Sequence, residues 1–82
     1  MFSNNQDLYN WVEELSEKMK KLGEDEWFHA LSNSLRSGAT SGEVLGDIRM
    51  TLVKLKSSKV QIEKKEINEV IKILDKVLGP RN

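Results

Sequence analysis

The sequence predicts an all-α fold, a small bundle of about four helices. Apolar residues recur at spacings of three and four along four segments, and capping residues and glycines separate those segments. No stretch alternates apolar and polar residues for long enough to make a strand; Lys59 to Ile62 is the one weak candidate. The 82 residues fit a single helical domain, residues 1–82, because an independent core needs at least about 50 residues. There is no cysteine, so packing and caps must supply the stability that disulfides or a cysteine-held zinc supply elsewhere.

The first helix is predicted over roughly 5–22, where Leu8, Trp11, Val12, Leu15, Met19 and Leu22 share one face. Its acids Glu13, Glu14 and Glu17 come before Lys18, Lys20 and Lys21, which suits the helix dipole, and Gly23 supplies a left-handed stop. The second, over 24–37, opens with Glu24, Asp25 and Glu26 and carries Trp27, Phe28, Leu31 and Leu35 on one side. The third, over 41–56, begins at a capping box of Thr40 and Glu43, and its stripe is Val44, Leu45, Ile48, Leu52 and Leu55. Gly42 and Gly46, four residues apart, predict close approach of this helix to a neighbour. The fourth, over 61–78, follows Ser57-Ser58, either of which suits a cap. It aligns Ile67, Val70, Ile71, Leu74, Val77 and Leu78 before the stop at Gly79-Pro80.

Catalytic constellations are absent from the pattern. His29 is the one histidine, three residues after Glu26 and four after Asp25; a di-iron bundle needs a second such Glu-x-x-His pair. Without a cysteine or a second histidine, a nucleophile triad is hard to assemble. Ser32, Ser34, Ser37, Ser41, Ser57 and Ser58 read as caps and solvated residues, and pairs such as Glu13 with Glu17 as a solvated helix face. The run Gly38-Ala39-Thr40-Ser41-Gly42 lacks the Gly-Lys-Ser/Thr ending of a phosphate loop. We therefore expect no enzyme, no cofactor and no metal. Residues 1–7 lack the basic start and apolar run of a signal peptide, and no stretch reaches the roughly 18 apolar residues of a membrane span. These features lead to the expectation of a cytoplasmic protein without a membrane partner.

Thirteen basic residues balance thirteen acidic ones, yet residues 1–48 carry −5 and residues 49–82 carry +5. Such halves are expected to meet, within one molecule or between two. The basic half, with Arg49, Lys54, Lys56, Lys59, Lys64, Lys65, Lys72, Lys76 and Arg81, keeps open an alternative reading as a nucleic-acid-associated accessory protein. Against it, the third helix begins Thr40-Ser41-Gly42-Glu43 and adds Asp47, charges that DNA repels, and Glu63, Glu66 and Glu69 are interspersed with the lysines. Trp11 and Trp27 lie in apolar stripes and read as core rather than as stacking platforms for bases.

Apolar residues off the stripes point to binding of another protein. Met50 and Val53 project from the third helix, Ile62 and Ile73 flank the fourth, and Tyr9 leaves the first stripe. Met50, Val53, Ile62 and Ile73 are the candidate docking residues. The function expected is a non-catalytic interaction module, a regulator, adaptor or inhibitor that binds a partner protein or a second copy of itself.

Overall fold

The structure, a computed structural model, describes residues 2–79. It is 73% helical, with four helices and no strand among those residues: α1 (Asn5–Lys21), α2 (Asp25–Ser34), α3 (Ser41–Lys56) and α4 (Lys65–Leu78). Met1 and, from the expected stop after α4, Pro80 and the neighbouring Arg81 lie outside the described residues.

Side-chain caps mark the starts of α1 and α3, while the N-cap residues of α2 and α4 make no side-chain cap bond. The Asn4 side chain accepts the Asp7 backbone N–H at 2.9 Å, and the Asp7 carboxylate accepts the Ser3 N–H at 3.1 Å, so α1 opens with reciprocal bonds that satisfy two free amides. It closes at Gly23, whose φ of 79° carries the backbone into the left-handed region. The Glu24 N–H then reaches the Met19 carbonyl at 2.8 Å and the Gly23 N–H reaches Lys20 at 3.1 Å, the paired closure of a Schellman motif. At α3 the Thr40 hydroxyl accepts the Glu43 N–H at 3.2 Å as the capping box requires. The return bond differs from expectation: the Glu43 carboxylate takes the Thr40 hydroxyl proton, at 3.3 Å, instead of the Thr40 backbone N–H.

Two boundaries depart from the sequence reading. α2 ends at Ser34 rather than near Ser37. There the Leu35 and Arg36 amides bond three residues back, to Ser32 and Asn33, and the Ser34 hydroxyl donates to the Leu31 carbonyl. These local bonds tighten the last turn and end the helix. α4 starts at Lys65 rather than Gln61, and neither serine caps it. Ser57 is the C-terminal cap position of α3, while the Ser58 hydroxyl donates to Leu55 and accepts from Val60. The Lys64 ammonium holds the Ser58 carbonyl and the Ile62 amide closes a tight turn on Val60, leaving 59–64 as an irregular connection.

Twelve apolar side chains form one core: Leu8, Val12 and Met19 from α1, Leu31 from α2, Leu45, Ile48, Leu52 and Leu55 from α3, and Ile67, Val70, Ile71 and Leu74 from α4. Two polar side chains, Ser16 and Ser34, are buried with them, each donating its hydroxyl to the carbonyl three residues back at 2.7 Å. That local bond removes the cost of an unpaired buried hydroxyl. The backbones come closest in chain order, α1 to α2, α2 to α3 and α3 to α4. Leu22 and Val77, expected in the stripes, are exposed, Val77 at 61%. Leu22 falls one residue past the last helical position of α1, and Val77 lies about 70° from the centre of the buried stripe of α4 at 100° per residue.

The glycines of α3 do not serve internal packing. A methyl group built at Gly46 meets nothing within 4 Å, and one at Gly42 meets only the Thr40 hydroxyl oxygen, at 3.9 Å. The close approach expected there is absent, because the face carrying both residues turns away from α2 and α4. Gly38 is the glycine with a steric reason: its Cβ would stand 2.5 Å from the Glu43 Cβ. Gly46→Ala is therefore expected to stabilise the fold by about 0.8–1 kcal/mol, the propensity difference inside a helix, and Gly38→Ala to destabilise it. Urea melts of the two variants beside wild type check both signs. A neutral or unfavourable Gly46→Ala would mean that the face is covered in solution.

Candidate interaction surface

α3 is the helix whose outer side is least explained by the fold. Ile48, Leu52 and Leu55 are fully buried, and on the far side of the helix Gly46, Met50 and Val53 lie within about 60° of one another. Met50 is 52% exposed and Val53 36%. Met50 borders a shallow depression toward α2 with Ala30, Ser34 and Thr51. Exposed apolar side chains lose contact with water favourably when covered, at roughly 25 cal/mol per Å².

Ile62 and Ile73 are placed differently. Ile62 is half-buried in the connection before α4 and packs against the core. It lines a groove of about 300 Å³ with Trp11 and Leu15 of α1, and the carboxylates of Glu14, Glu63 and Glu66 border that groove. Ile73 is half-buried on α4 and lines a smaller hollow of about 120 Å³ with Phe2, Leu8, Leu45, Leu74 and Val77. Met50, Ile62 and Ile73 thus border three separate depressions. Met50 and Val53 share a face; Ile62 and Ile73 belong to the seam between α1 and α4.

One bond spans that seam, and the sequence reading missed it. The Trp11 indole N–H donates to Glu66 Oε1 at 2.8 Å, while the edge of the Trp11 ring meets Phe2 with centroids 6.2 Å apart. The available signal was angular: Trp11 follows Val12's stripe only at its margin, about 100° from Val12 itself, so its polar edge reaches the protein surface. A buried tryptophan edge seeks an acceptor, and Glu66, on the first turn of α4, provides one.

The charge segregation is not resolved inside the molecule. Among the described residues the single ion pair joins Arg49 to Asp75, both in the basic half. With the bond from Lys56 Nζ to Asn68 Oδ1 at 2.7 Å, it fixes α3 antiparallel to α4. Asp47 instead accepts the Ser37 hydroxyl, tying the α2–α3 connection down. Lys20 lies 5.1 Å from the Phe28 ring centroid, a cation–π contact within the acidic half. His29 is exposed beside Phe28, ring centroids 5.1 Å apart. Among the described residues no group of three histidine or carboxylate side chains converges for a metal, and no helix is long and apolar enough to cross a membrane.

The two environments predict different responses to the same substitution. Met50→Glu is expected to change stability by less than about 0.5 kcal/mol, the usual range for an exposed position. Ile73→Glu should cost about 1–3 kcal/mol, because it brings a charge to the hollow lined by Leu8, Leu45 and Leu74. Paired thermal and urea melts measure the difference, and equal losses would contradict the placement of Ile73.

No protein-family model, curated protein or solved structure matches the chain.

Proposed function

We propose that the chain is a non-catalytic interaction module of the cytoplasm, acting by docking a helix face on a partner protein or on a second copy. The observation that carries this reading is the outer face of α3. Met50 and Val53 are exposed there, and the space at Gly46 is open, so a helix face with no internal neighbour presents apolar side chains beside a site of close backbone access. Gly46 also lowers helix propensity by about 1 kcal/mol relative to alanine, a loss that is offset only if something approaches where a methyl group would stand. The lysines speak less strongly for nucleic acid. Arg49 is engaged by Asp75, and along α4 Lys65, Lys72 and Lys76 alternate with Glu66, Glu69 and Asp75, which dilutes a phosphate-binding field.

The test pairs two measurements. The tagged wild-type chain and the Met50→Glu/Val53→Glu variant are used as baits in extracts of the source cell, washed at low and high salt. The expectation is a partner retained by wild type at both salt concentrations and lost by the folded variant, since apolar docking is little affected by salt. In parallel, a fluorescent DNA duplex and a single-stranded RNA are titrated at two salt concentrations. Equal capture by both baits, or tight nucleic-acid binding that falls steeply with salt, would sink the proposal.

A further inference from the structure

We propose that α4 is a self-association helix, pairing antiparallel with α4 of a second copy about a two-fold axis near its middle. This rests on the reading of the chain as an interaction module and names one occupant for the seam between α1 and α4. The seam has two unlike ends. At the start of α4, Trp11, Leu15 and Ile62 form an apolar groove bordered by Glu14, Glu63 and Glu66, with Lys18 the one cation in its lining. At the other end of the same helix, Val77 is 61% exposed beside Ile73, and the exposed Lys76 has no ion partner among the described residues.

The two ends complement each other in charge and in polarity, and they share a face. Glu66 and Val77 are eleven residues apart, about three turns of helix, so they project to the same side within about 20°. When two copies of α4 lie antiparallel on that side, Val77 and Ile73 of one copy cover the Trp11–Ile62 groove of the other. The same arrangement brings Lys76 of one copy to Glu63 and Glu66 of the other. The two-fold axis repeats every contact, which is the closed, self-complementary arrangement of an isologous dimer.

Stable pairs bury about 1,200–2,000 Å² in total, so each chain would contribute roughly a tenth to a fifth of its 5491 Å². The α4 flank is about 21 Å long at 1.5 Å per residue, and Phe2, Trp11 and Leu15 widen it on the α1 side. A reversible, concentration-dependent dimer is the form such an area supports.

Sedimentation velocity of the full chain over a roughly hundredfold range of concentration, at low and high salt, reads the association. Wild type should move from monomer toward dimer mass as concentration rises, and less so at high salt. Lys76→Glu and Glu66→Lys each place like charges opposite one another and should weaken association about tenfold or more. The double variant Glu66→Lys/Lys76→Glu reverses both partners and should recover it. Both substitutions fall at exposed positions, Glu66→Lys also removes the acceptor of the Trp11 indole, and far-UV circular dichroism checks that each of the three variants is folded. Wild type that stays monomeric throughout would overturn the inference. Single variants that dimerise as wild type does, or a double variant that fails to recover, would overturn it too. None of these failures touches the α3 face, whose test uses other residues and another readout.

Discussion

Burial of the α3 stripe is the constraint on which the other three helices depend. Leu45, Ile48, Leu52 and Leu55 are at most 4% exposed, and with the half-buried Val44 they spread over a wide arc of one helix. No single neighbour can cover such an arc. α4 closes one flank, fixed in register by Arg49–Asp75 and Lys56–Asn68, and α2 closes the other, positioned by the Ser37–Asp47 bond in its exit turn. α1 then packs on α2 and sends Leu8, Val12 and Met19 into what remains. Among the described residues the core forms without leaving a buried side-chain polar atom unpartnered.

The parts of this arrangement that follow from local chemistry were readable in the sequence. The bounds of α3 agree at both ends because Thr40 and Glu43 mark the start and the serine pair marks the exit. Gly23 marks the close of α1 for an equally local reason. Where several local options compete, the reading fails. The serines around residues 34–37 and 57–58 suit a cap, a tightened last turn or a loop equally well, and only tertiary context chose among them. Residues 61–64 were expected within α4, with Ile62 on its flank rather than in its stripe. The same residue is instead held against the core from an irregular segment.

The candidate surface was legible in the same partial way. Periodicity alone separates Met50 and Val53 from their stripe, and both are exposed. It cannot say how far a neighbouring element overlaps a flank, which is why Ile73 and Ile62 are half-buried while Val77, counted with the core, is not. Charge totals by half were also visible, but not that the one ion pair would fall within the basic half, leaving the acids of α1 and the lysines of α4 to solvent or to another molecule. A glycine spacing that suggested internal packing proved to mark an open face. Local rules that the fold does not use are the places where a surface role is worth seeking.

The order in which the helices pack has a consequence for how the chain is made. Because backbones approach in chain order, α1 with α2, then α2 with α3, then α3 with α4, each docking closes a short stretch of polypeptide, and short closures are entropically cheap and fast. A chain emerging from the ribosome can therefore acquire structure progressively from its first hairpin. Of the four helices α4 is made last, and it supplies Ile67, Val70, Ile71 and Leu74, a third of the core. Until it arrives, one flank of the apolar stripe of α3 stands uncovered. Synthesis that pauses before Lys65 leaves a nascent chain with its helices started and its sticky face outward, the species that chaperones hold.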